Sequence, residues 1–152
     1  MPTATPAPLH LRLSALAYDL FPLAALWMAT AGLVLFAVHG DVDVAHPPAG
    51  YRLTLQLALL AVSAGYFVLS WTRGGQTIGM RAWRIRIVAA DGGALPWPRA
   101  LLRFGVALLS LAAFGLGFLW CLVDGERRAW HDLVARSAYV RVAKAAAAKA
   151  KD

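Results

Sequence analysis

The chain has 152 residues, of which 60% are hydrophobic and only 15% are charged. A soluble domain of this size carries about 25% charged residues, so the composition excludes an ordinary soluble domain and indicates an integral membrane protein. The net charge of +7 does not indicate nucleic-acid binding, because the basic residues flank apolar runs and form no recognition motif or basic stripe.

The first predicted element is a membrane helix over the uncharged run Leu20–Val38. About 20 residues in a helix cross a hydrocarbon core of about 30 Å. The run is too long for the apolar part of a cleaved signal peptide, and Arg12 is the only basic residue before it, so we expect it to be retained. Met1–Leu9, which contains three prolines, is predicted to be a disordered tail.

Asp19 directly precedes this run, at a place where a charge is costly and by default indicates a functional site. Arg12 lies seven residues earlier, on the same helix face and about 10 Å away along the axis. Two interpretations of Asp19 stay open. It pairs with an arginine of a neighbouring segment, such as Arg103, or it binds and releases a proton or small cation. Arg12 is expected to extend its guanidinium to the lipid headgroups.

The second predicted membrane helix covers Leu53–Thr72. The connection before it is short and acidic, with Arg52 as its only basic residue, whereas the connection over residues 73–103 contains six arginines. The positive-inside rule therefore predicts that the second connection is cytoplasmic, and that the N-terminus is cytoplasmic as well. The turn motif Gly75-Gln-Thr77-Ile-Gly79 follows, with Thr77 as the expected helix cap. A backbone nest for an anion is its functional alternative.

Two short strands are predicted beyond this motif. Arg84–Ala90 and Arg136–Val142 both alternate in character, and Asp91-Gly92-Gly93 is a strong turn signal. Such short strands need a pairing partner, and the best partner for each is the other. Pairing requires that both strands lie on the same face of the membrane. The third apolar run, Phe104–Val123, contains Gly115-Leu116-Gly117 near its middle. We therefore expect a broken or re-entrant helix there, with a straight third span as the alternative.

Few residues outside these elements suggest chemistry. The sequence has no phosphate-binding loop, nucleophile elbow or Cys/His metal cluster, so we predict no enzyme activity, cofactor or metal. Trp130-His131-Asp132 looks like a metal or base pair, and its structural interpretation is a contact at a helix terminus. The single Cys121 excludes an internal disulfide. The basic, low-complexity tail Ala143–Asp152 is expected to contact anionic lipids.

Several of these motifs together resemble the RDD family of bacterial membrane proteins. The resemblance rests on Arg12-Leu-Ser-Ala-Leu-Ala-Tyr-Asp19, Gly75-x-Thr77-x-Gly79, Arg84-Ile-Arg-Ile-Val88, Asp91-Gly92, Phe114-Gly-Leu-Gly-Phe-Leu-Trp120, Asp124 and Trp130-His-Asp-Leu133. It implies that Arg12 and Asp19 are the family's arginine and first aspartate, with Asp132 as the second aspartate and Asp124 as the alternative. Ala135-Arg136-Ser137 departs from the Ala-Gly-Thr more frequent in relatives. The resemblance also implies a compact membrane domain, for which transport is one expected role.

The expected protein is an all-α polytopic protein of the bacterial inner membrane, with two full spans, a third broken or spanning segment and a small cytoplasmic strand-and-turn cap. Residues 10–142 form the membrane domain. The expected function is proton- or cation-coupled transport that uses Arg12, Asp19, Arg103 and Asp132, and the alternative is an accessory protein that assembles or stabilises membrane complexes. Two or three spans cannot by themselves shield an ion path from lipid. We therefore expect a homo-oligomer or a membrane-protein partner. Small residues that favour such packing are Ala24, Ala25, Ala29, Ala31 and Gly32 in the first helix, and Ala58, Ala61, Ser63, Ala64 and Gly65 in the second.

Overall fold

The computed structural model describes residues 5–37, 43 and 46–142. Within these residues the chain is mostly helical, with one small antiparallel sheet. The elements in chain order are α1 (Leu9–Ala37), α2 (Ala49–Arg73), α3 (Ile78–Ala82), β1 (Ile85–Ala89), α4 (Trp97–Ala112), α5 (Leu116–Leu119), a 3-10 turn (Trp120–Leu122), α6 (Trp130–Val134) and β2 (Ser137–Arg141).

The two long helices, α1 and α2, are each long and apolar enough to cross a membrane, as the uncharged runs predicted. They contain 29 and 25 residues, which corresponds to about 43 and 37 Å. Helix α1 begins well before the apolar run, at Leu9, and therefore carries both Arg12 and Asp19. The apolar windows of both helices are almost entirely unburied within the chain, so these surfaces are available to lipid or to another helix.

The third apolar run is broken, as its glycines predicted, and does not form one straight helix. Helix α4 ends at Ala112, and the helical segment Leu116–Leu122 is bent from it by 109°. Gly115 makes the bend with a φ of +79°, which is accessible to glycine at no steric cost. Gly117 allows the close return, because a Cβ on it would lie 2.0 Å from the Ser110 hydroxyl oxygen.

Strands β1 and β2 pair with each other, which confirms the sequence prediction. The register places Ile85 opposite Arg141 and Ala89 opposite Ser137. The side chains of Ile85, Ile87 and Ala89 are buried against the helix ends. The turn predicted after β1 is also present, since Asp91 accepts a hydrogen bond from the Gly93 amide at 2.9 Å.

The hydrophobic core lies where the strand pair covers one end of the helices. It is formed by Ala7, Ala15, Trp71, Met80, Ile85, Ile87, Ala89, Leu95, Ala100, Phe104 and Tyr139. The disorder predicted for Met1–Leu9 is wrong for its second half, because Pro6 bridges to Val140 and the buried Ala7 donates its amide to the Tyr139 carbonyl at 2.9 Å. The tail Ala143–Asp152 lies outside the described residues.

Candidate functional site

The centre of the site is Asp132, on the short helix α6, which binds an arginine from each of two other helices. Its Oδ2 lies 2.9 Å from Arg12 Nη1 of α1, and its Oδ1 lies 2.6 Å from Arg103 Nη1 of α4. Asp132 also accepts the Ala129 amide at 2.9 Å, which caps α6. All three charged side chains are buried, so this is an ion-paired cluster inside the protein. We call Arg12, Arg103 and Asp132 the charge cluster.

The remaining contacts of the two arginines hold them in place. Arg12 donates through Nε to the Ala7 carbonyl at 2.9 Å and through Nη2 to the Arg127 carbonyl at 2.7 Å. The prediction that Arg12 reaches the lipid headgroups is therefore wrong, because its donors are used inside the chain. Arg103 donates to the Ser137 hydroxyl of β2. The charge cluster thus joins α1, α4, α6 and the sheet.

Aromatic rings surround the cluster. The guanidinium carbons of Arg12 and Arg103 lie 4.7 and 4.8 Å from the centre of the Tyr139 ring, and that of Arg103 lies 5.3 Å from the Trp71 ring. These distances are within the range of cation–π attraction. Burial would raise the pKa of Asp132, but the charge of Arg103, with a smaller contribution from Arg12, outweighs burial and holds that pKa below its usual value.

His131 packs beside the cluster without adding charge to it. Burial, followed by the nearby charge of Arg103, lowers the pKa of His131 to about 3, so the imidazole is neutral at physiological pH. Its ring lies 4.8 Å from the ring of Phe118. Two arginines therefore bind one carboxylate, so within the described part of the chain one positive charge of the cluster has no directly bound counter-charge.

Asp19 forms a second buried polar centre on α1, separate from the charge cluster. Its carboxylate accepts hydrogen bonds from the Tyr66 hydroxyl at 2.7 Å, the Thr77 hydroxyl at 2.5 Å and the Gly79 amide at 2.8 Å. Asp19 is only 1% exposed. The suggested pairing of Asp19 with Arg103 is wrong, because Arg103 binds Asp132 instead. Asp19 therefore ties α1 to α2 and α3 through neutral donors.

The turn motif after α2 is the partner of Asp19. Thr77 caps α3, as predicted, by accepting the Met80 amide at 3.1 Å. The anion that its donors bind is the chain's own Asp19 carboxylate. Gly79 must be a glycine, because a Cβ there would lie 2.0 Å from the Ala15 carbonyl oxygen. Gly75 has a separate role, since its carbonyl accepts the Ile87 amide of β1 at 2.7 Å.

A cavity of about 590 Å³ lies between α1, α2 and α4, beside both polar centres. Arg12, Arg103, His131 and Tyr139 border it near the sheet, and Asp19 borders it farther along α1. Apart from Ser63, the rest of its wall consists of aliphatic and aromatic side chains: Ala15, Leu16, Leu20, Leu23, Trp27, Leu59, Leu60, Phe67, Trp71, Met80, Phe104, Ala107, Leu108, Leu111 and Phe118.

Four of the five predicted charged residues border or stabilise this region, and Asp124 does not. Asp124 organises the loop before α6, where it accepts the Arg128 amide at 2.9 Å and pairs with the Arg128 side chain.

Among the described residues, no cluster of three or more His, Cys, Asp or Glu could hold a metal ion. The sequence interpretation missed Tyr66, Ser137 and Tyr139, although Ser137 and Tyr139 alternate with the apolar Ala138 and Val140 along β2, which was a usable signal.

Comparison with known proteins identifies the family. The RDD family profile matches residues 6–136, which is most of the chain and includes both polar centres. No curated protein and no solved structure matches the chain. The chain belongs to the RDD family.

Proposed function

We propose that this RDD protein is a non-catalytic accessory protein of the bacterial inner membrane, which assembles or stabilises membrane complexes. Its buried charges form ion pairs that hold its own helices together. The observation that carries the proposal is the charge cluster. Both oxygens of Asp132 are bound by arginines, at 2.9 and 2.6 Å, so neither is free for a transported cation. Removing one member of such a buried pair leaves an uncompensated charge, which makes the cluster a strong structural tie.

The charge distribution supports a cytoplasmic position for the sheet and for the N-terminus. The arginine-rich connection over residues 73–103 contains β1, and β1 pairs with β2. The pairing of the two strands supports a common side for the basic regions that contain them, and the 109° bend in the third segment is compatible with a return of the chain to that side. Under the positive-inside rule that side is the cytoplasm, where anionic headgroups attract arginine.

The outer faces of the long helices support association with another membrane protein or a second copy of the chain. Ala25, Ala29 and Gly32 follow one another at helical spacing on α1, and all three are exposed. A Cβ placed on Gly32 or on Gly65 of α2 would meet nothing within 4 Å. Small residues on open helix faces allow close packing of a second helix in a bilayer.

Proton- or cation-coupled transport is the second candidate, and one observation favours it. Asp19 borders the cavity, and its hydrogen bonds come from the neutral groups of Tyr66, Thr77 and Gly79. An intramembrane carboxylate beside a cavity is an arrangement that ion pathways use.

Flux through the purified protein tests the two functions. Proteoliposomes loaded with a pH-sensitive dye are given a pH gradient, with and without a Na⁺ or K⁺ gradient. The accessory role predicts the same leak as empty liposomes. Flux through the wild type that Asp19→Asn abolishes, with that variant still folded, contradicts the accessory role and supports transport. Native mass spectrometry from lipid nanodiscs should also show an oligomer or a bound partner, and a bare monomer contradicts the association.

A further inference from the structure

The cavity between α1, α2 and α4 has a polar end and an apolar end. Arg12, near the sheet, and Trp27 both border it, and they lie about 22 Å apart along α1. Arg103 and His131 stand at the Arg12 end, whereas Leu59 and the Trp27 ring stand at the other. A cavity with one polar end and one apolar end suits an amphiphilic molecule. Its volume of about 590 Å³ is within the usual range of ligand sites.

Several hydrogen-bond donors at the polar end have no partner among the described residues. They are Nε and Nη2 of Arg103 and Nε1 of Trp71, and both side chains border the cavity. Arg103 is completely buried. Buried donors without partners are costly, so an acceptor that reaches them is bound favourably.

The charge at this end selects the kind of acceptor. Among the described residues, Asp132 is the one carboxylate that forms an ion pair with Arg12 and with Arg103, and the neighbouring His131 is neutral. Asp19 also borders the cavity, but its oxygens already accept three hydrogen bonds and it offers no donor. The unpartnered donors of Arg103, Nε and Nη2, lie on one edge of the guanidinium and form a fork that matches two oxygens of a phosphate group.

We infer that the cavity binds one anionic glycerophospholipid, with its phosphate at Arg103 and one acyl chain along the apolar wall towards Trp27. The second acyl chain stays in the bilayer, because the cavity wall includes α1 and α2, which are both long and apolar enough to cross a membrane. The inference rests on the proposed accessory role and gives that role a ligand class. A lipid with a net negative charge is preferred over a zwitterionic one, because two arginines and one aspartate meet at the end where the phosphate binds, whereas the Asp19 carboxylate lies farther along α1.

Competitive lipid binding tests this inference. The detergent-purified wild type is mixed with equal amounts of dioleoyl phosphatidylglycerol and dioleoyl phosphatidylcholine, which have the same chains, and retained lipid is measured by native mass spectrometry. We expect at least tenfold more phosphatidylglycerol. Arg103→Lys keeps a positive charge beside Asp132 but removes Nε and Nη2, and it should abolish the preference. Equal retention of the two lipids by the wild type overturns the inference.

Matched tryptophan substitutions on α4 locate the lipid. Ala107 lines the cavity and Ala112 is exposed outside it. Ala107→Trp should reduce retained phosphatidylglycerol at least tenfold, whereas Ala112→Trp should leave it unchanged. Equal retention by both variants contradicts the site.

Photocrosslinking of the wild type keeps the inference testable if a variant does not fold. Phosphatidylglycerol with a diazirine at its chain end should label Leu59 or Leu111, and labelling confined to the outer helix faces overturns the site. Failure of the lipid-site inference can be distinguished from failure of the proposed accessory function. A wild type without lipid preference and without flux rejects the lipid site alone, whereas flux with a lipid preference rejects the accessory role alone.

Discussion

Gly79 places its amide 2.8 Å from Asp19 Oδ1, across 60 residues of sequence, and no larger residue fits there. A Cβ on Gly79 would lie 2.0 Å from the Ala15 carbonyl oxygen and 3.0 Å from the Asp19 carboxyl carbon. The contact joins the first helix of the RDD domain to the turn after the second. Asp19 therefore has a structural role, and its substitution is expected to change the stability of the protein as well as any other property.

Gly79→Ala should destabilise the protein by about 1–3 kcal/mol or more, because the added methyl group overlaps backbone that cannot move freely. Gly105→Ala on α4 is the matched control, since nothing lies within 4 Å of its Cβ position. In a helix interior that change should be stabilising by about 0.5–1 kcal/mol. Thermal unfolding in one detergent measures both, and equal melting temperatures contradict the close contact.

Asp19→Asn should lower stability by about 1–3 kcal/mol, because the new amide group faces donors where a carboxylate accepted three hydrogen bonds. The control is Asp91→Asn, an exposed aspartate with one turn hydrogen bond that asparagine can also accept. It should change stability by less than about 0.5 kcal/mol. An Asp19→Asn variant as stable as the wild type is inconsistent with this hydrogen-bonded centre.

Arg103 and Asp132 should show strong coupling in a double-mutant cycle. Arg103→Met should cost about 3–5 kcal/mol, because Asp132 loses its closest cation within a buried site. Asp132→Asn in that background should restore part of the loss, whereas Asp19→Asn in the same background should only add its own cost. Chemical unfolding of the single and double variants gives the coupling energies. Rescue by Asp19→Asn instead places Arg103 beside Asp19.

Acid should weaken the protein through His131. Its pKa is about 3 in the folded state and about 6.5 when unfolded, so the unfolded chain binds the proton first as pH falls. The stability contributed by neutral His131 is complete above about pH 6.5 and is lost progressively towards pH 3. At pH 5 the loss is about 2 kcal/mol relative to pH 7. Thermal unfolding from pH 7.5 to 5 should show a smaller decline in His131→Gln, and parallel declines refute the assignment.

The two strands should label from the same side of the membrane, because they are paired in one sheet. Single cysteines at the exposed positions Gly93 and Val142, with Cys121 replaced by alanine, report this with an impermeant thiol reagent. Ser137 is unsuitable because it is buried beside Arg103. Under the proposed orientation both cysteines react only after the inner membrane is opened. Labelling of Val142 alone in intact spheroplasts rejects the shared cytoplasmic face.

The sequence by itself determined the two long helices, the break in the third apolar run, the two short strands and the family. These features depend on local properties: the length of an uncharged run, a glycine that accepts a positive φ, and alternation along a strand. The pairing of β1 with β2 was also predictable, because each strand needed a partner and the chain offered few.

Only the tertiary structure decided which charges meet. Arg12 and Asp132 are 120 residues apart, and the helix spacing that placed Arg12 and Asp19 on one face gave no information about either partner. Asp19 accepts hydrogen bonds from neutral donors in the Thr77–Gly79 turn, whereas Arg103 forms an ion pair with Asp132. The bend after α4 and the return of β2 bring α6 to the arginines. Burial then makes each pairing exclusive, since a buried carboxylate is stable only where donors or cations already surround it.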